Sequence, residues 1–97
     1  MMAVYAIFNY DVADPDGYQK YQQLAGGSFA GRSFKVLALD SATTQVEGDK
    51  AGRQTVILEF ETKDAFEDWY RSPEYQSAIG TRLEATTNGV GLLVAGR

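Results

Sequence analysis

The chain has 97 residues, of which 44% are hydrophobic and 23% are charged, a balance typical of one small globular domain. It contains no cysteine and no histidine, which excludes a disulfide framework, a thiolate nucleophile and the cysteine spacing of zinc fingers. Nine Lys and Arg against thirteen Asp and Glu give a net charge of -4. A negatively charged domain repels phosphate backbones, so we expect no nucleic-acid partner.

The beginning of the chain shows no targeting signal. Its short apolar run lacks a basic flank and turns polar at Asn9, unlike a signal peptide. No segment approaches the roughly 20 apolar residues that cross a bilayer. We therefore expect a single domain over residues 1–97 that is cytoplasmic and has no membrane partner.

The first third of the sequence predicts a strand over residues 3–12 and a helix over about 15–25. Asp14 is suited to cap this helix, and Pro15 is suited to its first turn. Gly26 to Gly31 are predicted to form a loop. The spacing of three and four places one set of side chains on a common helix face: Tyr18, Tyr21, Gln22 and Ala25.

The middle third predicts two strands. The first covers residues 34–39, with an irregular continuation towards Val46, and the second covers residues 55–60. A glycine-containing turn between Gly48 and Gly52 favours antiparallel pairing of the two.

The last third predicts a helix that restarts. It begins at about Lys63 with Thr62 as its cap, and the sequence Ser72-Pro73-Glu74 supplies a second cap and first turn. The second part is predicted to end near Asn88-Gly89, followed by a strand over residues 90–95. The resulting order, β-α-β-β-α-β, predicts an α+β fold with a four-stranded antiparallel sheet and both helices on one face.

The predicted strands are apolar on both faces. In the first strand Val4, Ala6, Phe8 and Tyr10 fall on one side, and Tyr5 and Ile7 fall on the other. In the others Leu58 opposes Ile57, Leu37 and Leu39 oppose Val36, and Leu93 opposes Leu92 and Val94. In an antiparallel sheet with one solvent-exposed face, apolar and polar residues alternate along each strand. Either these side chains are scattered surface hydrophobics, or the second face is covered in a homodimer, which we prefer.

One segment resembles a known family. The run from Trp69 to Gln76 (WYRSPEYQ), followed by Arg82, is similar to the signature of the DUF1330 family of the dimeric α/β-barrel superfamily. Further matches are Asp14-Pro15, Tyr18 with Tyr21, Val46-Glu47-Gly48 and Ile57-Leu58-Glu59-Phe60. The resemblance implies a ferredoxin-like fold and homodimers that pack sheet to sheet, but no activity.

The chain differs from the family in the segment that follows the second predicted strand. Relatives often carry an Arg and a Gly pair where this chain has Ala38-Leu39-Asp40-Ser41, so we expect no anion contact from that segment. Related branches of the superfamily include haem-handling proteins and monooxygenases of antibiotic biosynthesis. A histidine-ligated haem is excluded because the chain has no histidine, and we predict neither a cofactor nor a metal site.

Arg82 is the first candidate for chemistry, because it shares a helix face with apolar residues. A buried charge needs a partner. Glu59 or Glu47 would provide a structural ion pair, whereas a free guanidinium in a cleft would bind the carboxylate or phosphate of a ligand.

The aromatic residues around the helix break are the second candidate. Trp69, Tyr70 and Tyr75 form either part of the core or one wall of a small pocket that faces Tyr18 and Tyr21. A tyrosine acts as a base only where a cation lowers its pKa, and Arg82 is the candidate cation.

We therefore predict a ligand site between sheet and helices, and its candidate residues are Tyr21, Glu59, Trp69, Tyr75 and Arg82. Two functions remain open. The first is a homodimeric protein that binds, or also transforms without a cofactor, a small anionic or aromatic molecule. The second is a non-catalytic binding or assembly module in which these residues are structural.

Overall fold

Four strands and three helices make up the computed structural model, which describes residues 3–97. In chain order these are β1 (Val4–Val12), α1 (Pro15–Ser28), β2 (Lys35–Asp40), β3 (Gln54–Phe60), α2 (Lys63–Tyr70), α3 (Pro73–Ala85) and β4 (Thr86–Ala95). The β-α-β-β-α-β order predicted from sequence is confirmed, with the second helical segment divided in two.

The strands form one antiparallel sheet in the order β2-β3-β1-β4. Strand β1 is central and pairs with β3 so that Ala6 faces Leu58 and Ile7 faces Ile57. It pairs with β4 so that Ile7 also faces Leu92. The α+β fold is therefore confirmed.

Capping side chains define where all three helices begin. Asp14 accepts a hydrogen bond from the N–H of Gly17, Thr62 from that of Ala65, and Ser72 from that of Tyr75. Each cap satisfies one N–H group that the first helical turn leaves without a partner. The three predicted helix starts are correct for this reason.

The predicted helix ends are less accurate. Helix α1 continues through Gly26 and Gly27 to Ser28 instead of ending at Ala25. Helix α3 ends at Ala85 rather than near Asn88-Gly89, because Thr86 already pairs with Val12 in the sheet. Asn88 has a positive φ of 56° and lies in the irregular part of the β1–β4 pairing, between the Val90 and Thr87 pairs.

Strand β2 also departs from the prediction. Its pairing with β3 shifts between Val36 and Ala38, so a β-bulge lies at Leu37. Because a bulge adds one residue to the alternation, Val36 and Leu39 both face the helices, opposite Leu58 and Val56. The prediction that Leu39 opposes Val36 is wrong for this reason.

The helices cover one face of the sheet, and the other face carries no element of residues 3–97. We call this second face the open face. Its apolar residues alternate with the buried core and occupy all four strands: Tyr5, Ile7, Ala38, Ile57, Val90, Leu92 and Val94. Within the described residues, no helix is long and apolar enough to cross a membrane.

Candidate functional site

The helix-facing side of the sheet carries an aromatic core. Phe60 and Trp69 stack with their ring centroids 5.5 Å apart, and Phe29 stacks on Trp69 at 4.8 Å. The indole Nε1–H of Trp69 donates to Ser28 Oγ at 2.9 Å. The hydroxyl of Ser28 donates in turn to the carbonyl oxygen of Ala25 at 2.5 Å. Trp69 therefore holds the last turn of α1 to α2, and this contact requires the helix to run past Gly26 and Gly27.

Four tyrosines form two buried hydroxyl pairs beside this core. Tyr10 and Tyr18 are joined at 2.7 Å and Tyr21 and Tyr75 at 2.8 Å between their hydroxyl oxygens. Within each pair one hydroxyl donates and the other accepts, so buried phenols satisfy each other without a charged partner. The pairs connect β1 to α1 and α1 to α3.

Burial raises the pKa of Tyr10, Tyr18, Tyr21 and Tyr75 above the ordinary value of 10.0. The positive charge of Arg82 lowers these pKa values, but its effect is smaller than that of burial for all four. The hypothesis that Arg82 turns a tyrosine into a base is therefore wrong. These hydroxyls are neutral phenols at neutral pH.

Arg82 lies on α3 and points into the tyrosine cluster. Its guanidinium carbon is 5.2 Å from the ring centroid of Phe8, 5.4 Å from that of Tyr10 and 5.7 Å from that of Tyr21. Only 7% of the residue is exposed. Among residues 3–97 no Asp or Glu forms an ion pair with it. Aromatic faces therefore provide part of the electrostatic compensation that a carboxylate usually provides.

The two carboxylates proposed as partners of Arg82 lie elsewhere. Glu59 faces Tyr5 in the β1–β3 register, on the open face, where it forms an ion pair with Lys35 at 3.8 Å and raises the pKa of Tyr5. Glu47 is exposed in the connection between β2 and β3. The predicted ion pair is therefore wrong: strand alternation puts Glu59 on the opposite side of the sheet from the inward-facing Leu58 and Phe60.

Two clefts meet at Arg82. The first, which we call the α1 cleft, has a volume of about 260 Å³ and lies between α1 and the β1–β3–β2 side of the sheet. The second, which we call the α3 cleft, has a volume of about 390 Å³ and lies between α3 and β4. Both include Phe8, Tyr10 and Arg82. The remaining α1-cleft residues are Tyr18, Tyr21, Gln22, Ala25, Gly26, Phe29, Val36, Leu39, Val56, Leu58 and Trp69.

The structure brings together three of the five predicted site residues in the α1 cleft: Tyr21, Trp69 and Arg82. Tyr75 is fully buried and reaches the cleft through its bond to Tyr21. Glu59 is on the far side of the sheet. Tyr10 and Phe8 were missed as site residues, although their alternation with Asn9 already places them together on the face that the helices cover.

The sequence matches one known protein family over almost all of its length. The model described as "Domain of unknown function (DUF1330)" matches residues 3–96. The chain therefore belongs to the DUF1330 family. No curated protein matches it in sequence.

Solved structures share the fold of this DUF1330 protein at low sequence identity. A protein of unknown function from Rhodopseudomonas palustris matches with a TM-score of 0.80 and 17% identity, over 96% of this chain and 81% of the other. A dimeric ferredoxin-like protein of unknown function from Thermobifida fusca matches with a TM-score of 0.66 and 15% identity, over 97% and 91%.

A third structure is that of SnoaB, a cofactor-independent oxygenase from Streptomyces nogalater. It matches with a TM-score of 0.69 and 17% identity, over 100% of this chain and 95% of SnoaB. At these identities the likeness shows the fold, which is ferredoxin-like in this DUF1330 protein as it is in the structures it resembles.

Proposed function

We propose that this DUF1330 protein is a homodimer that binds, and transforms without a cofactor, a small anionic or aromatic molecule in the α1 cleft. Arg82 holds the acidic group of the ligand, while the aromatic residues and aliphatic side chains of the cleft enclose its body. SnoaB, a cofactor-independent oxygenase of the same fold, supports the idea that a protein of this fold carries out chemistry without a cofactor.

The observation that carries the proposal is the unpaired charge of Arg82. An arginine keeps its charge at all ordinary pH values, and a charge this deeply buried costs several kcal/mol when no anion accompanies it. Each of the three aromatic faces returns only about 0.5–2 kcal/mol. An anionic ligand would compensate the rest, which is a physical reason to retain the residue in a cleft.

The walls of the α1 cleft favour a mostly apolar ligand body. Val36 and Leu39 line one side, and both are largely exposed to the cleft and solvent, at 51% and 64%. Phe29 and Tyr21 line the side opposite. A volume of about 260 Å³ is near the lower end for ligand sites, of the order of 300 Å³, so the ligand is smaller than a typical drug.

Calorimetric binding of benzoate and of its uncharged analogue benzamide tests the proposal. We expect the unmodified protein to prefer benzoate, because hydrogen bonds to a charged group contribute about 1.5–3 kcal/mol. Arg82→Gln should therefore weaken benzoate binding about 10- to 100-fold and leave benzamide unaffected. Arg71→Gln is the matched control, because Arg71 is exposed and pairs only with Glu67.

Urea unfolding of Arg82→Met separates a ligand-binding role from a structural one. Methionine fills the space and removes the desolvated charge, so we expect the free energy of unfolding to change by no more than about 1 kcal/mol. A loss above about 3 kcal/mol, together with equal binding of benzoate and benzamide by the unmodified protein, would contradict the proposal.

The open face supports a second candidate function, a non-catalytic assembly module. Its β4 side chains Val90, Leu92 and Val94 are 50%, 53% and 40% exposed, and such a contiguous apolar surface is characteristic of an interface. The Thermobifida fusca protein of the same fold is described as dimeric. Under this alternative the dimer is the functional product, and neither benzoate nor any other small acid binds at Arg82.

A further inference from the structure

The polar groups that face the α1 cleft beside Arg82 are almost all hydrogen-bond donors. The guanidinium of Arg82 has five N–H donors and no acceptor. Each tyrosine pair uses one hydroxyl hydrogen internally, so one O–H in Tyr10–Tyr18 and one in Tyr21–Tyr75 remain free to donate. The α1 cleft therefore offers a cation together with the phenol hydroxyls of Tyr10, Tyr18 and Tyr21.

Anionic acceptors are missing from the same cleft. No Asp or Glu is among the residues that line it in the described part of the chain, and the amide of Gln22 belongs to an exposed residue of α1. Among the described residues that line the α1 cleft, the side-chain acceptors are neutral groups, namely the tyrosine phenol oxygens and the amide oxygen of Gln22. A ligand hydroxyl that lies against Arg82 thus meets N–H and O–H groups that donate to its oxygen, but no anionic group that accepts its proton.

We infer that the α1 cleft binds a weakly acidic phenol or enol as its conjugate base, with the resulting oxyanion at Arg82 and the tyrosine hydroxyls that line the cleft. This inference rests on the proposed function and specifies its ligand class. Donors preorganised around a developing negative charge, in surroundings of low dielectric constant, stabilise an oxyanion more than they stabilise the neutral hydroxyl.

The proton balance of this step is simple. The O–H bond of the ligand breaks, its electron pair stays on the oxygen beside Arg82, and the proton leaves to water or a buffer base. No protein base takes it up in the cleft, because the chain has no histidine and the four tyrosines are protonated phenols with raised pKa values. No oxidation or reduction is involved.

The test uses 4-nitrophenol, whose phenolate absorbs at longer wavelength than its phenol. The phenol is titrated with pH in the presence of saturating protein, and its apparent pKa is compared with that of the free compound. We expect a fall of about one unit or more, which corresponds to a tenfold or larger preference for the anion. The non-ionisable 4-nitroanisole should bind at least tenfold more weakly than the phenolate.

Variants assign the effect to the proposed donors. Arg82→Gln should restore the apparent pKa of bound 4-nitrophenol to its free value. Tyr21→Phe, which removes one hydroxyl pair, should reduce the shift in part, and the exposed control Arg71→Gln should leave it unchanged.

The outcomes distinguish this inference from the proposed function. If benzoate binds in an Arg82-dependent manner but bound 4-nitrophenol keeps its free pKa, the inference is overturned and the proposed function stands. If the pKa of bound 4-nitrophenol falls equally in Arg82→Gln and in the unmodified protein, the proposed position of the oxyanion at Arg82 is wrong and the inference is overturned. If neither compound binds to the unmodified protein, both proposals fail.

Discussion

Two arginines of this chain illustrate different ways to accommodate a charge. Arg32 is half-buried, donates to the carbonyl oxygen of Ser28 at 3.2 Å and lies 3.8 Å from the carboxylate of Asp68. Arg82 is more deeply buried, yet it contacts aromatic rings instead of oxygen acceptors. The first arrangement binds a loop to a helix, whereas the second keeps the guanidinium available to a ligand oxygen.

At the residue scale, the tyrosine cluster predicts how stability depends on alkaline pH. The native state raises the pKa of four tyrosines above 10.0, while the unfolded chain keeps the ordinary value. Between these values the unfolded state has lost protons that the native state still holds, so the free energy of unfolding is unaffected below about pH 10 and falls above it. Urea midpoints from about pH 8 to about pH 11 measure this decline.

Tyr21→Phe provides the control for this titration. It removes one titrating hydroxyl, so the free energy of unfolding should fall less steeply above about pH 10, by up to about 1.4 kcal/mol per pH unit. Tyrosinate absorbance that develops at the ordinary pKa for every tyrosine of the folded protein would contradict buried, protonated hydroxyls.

What the sequence could predict at this scale follows from strand alternation. The pattern places Phe8 and Tyr10 on the side that the helices cover, so this part of the α1 cleft can be predicted from the sequence alone. The same pattern places Glu59 on the other side of the sheet, away from Arg82. Aromatic rings surround Arg82 in place of a carboxylate because of the way α1, α3 and β1 pack together. No local sequence pattern predicts this packing.

At the element scale, the start of α1 is predicted accurately from the sequence, whereas its end is determined by tertiary contacts. Asp14 and Pro15 mark its beginning by local chemistry alone. Its last turn contains Gly26 and Gly27, which disfavour helix by roughly 0.5–1 kcal/mol each relative to alanine, yet the hydrogen bond from Trp69 to Ser28 requires helix there. The end of the helix was therefore mispredicted because a residue 41 positions away stabilises it.

Gly27→Ala is expected to stabilise the protein by about 0.4–1 kcal/mol, because alanine reduces the entropy of the unfolded chain and favours helix. A β-carbon at Gly27 would meet nothing within 4 Å. Thermal or urea unfolding of the variant measures the gain.

Gly52→Ala is the matched control for the alanine substitution. A β-carbon at Gly52 would lie 2.4 Å from the backbone carbonyl carbon of Tyr10. The backbone cannot move away easily, because the side-chain amide of Asn9 donates to the carbonyl oxygen of Gly52 and accepts from its N–H. The control should therefore lose stability. A loss of stability in Gly27→Ala would show that the last turn of α1 is not helical.

At the scale of the whole molecule, the protein is thin: its principal extents are 34 × 31 × 16 Å. One layer of helices on one sheet leaves the open face as a broad flat surface. A face of these dimensions is large enough for the roughly 800 Å² that each partner buries in a standard interface. The apolar residues on it explain why both faces of the strands are hydrophobic in sequence.

A homodimer through the open face predicts the effect of Ile57→Lys. Ile57 lies near the middle of the open face, between Ile7 on β1 and Ala38 on β2. A two-fold interface would bury the new lysine twice and without a partner, at a cost of several kcal/mol. We expect the unmodified protein to sediment as a dimer at micromolar concentration and Ile57→Lys to sediment as a folded monomer.

Leu24→Lys is the control for this experiment, because Leu24 lies on α1, in the helical layer, and is 44% exposed. It adds the same charge away from the open face and should leave the dimer intact. If the unmodified protein is a monomer at micromolar concentration, or if Ile57→Lys and Leu24→Lys both remain dimers, sheet-to-sheet pairing is wrong. If both variants dissociate, net charge rather than the open face controls assembly, because each adds one positive charge to a chain of net charge -4.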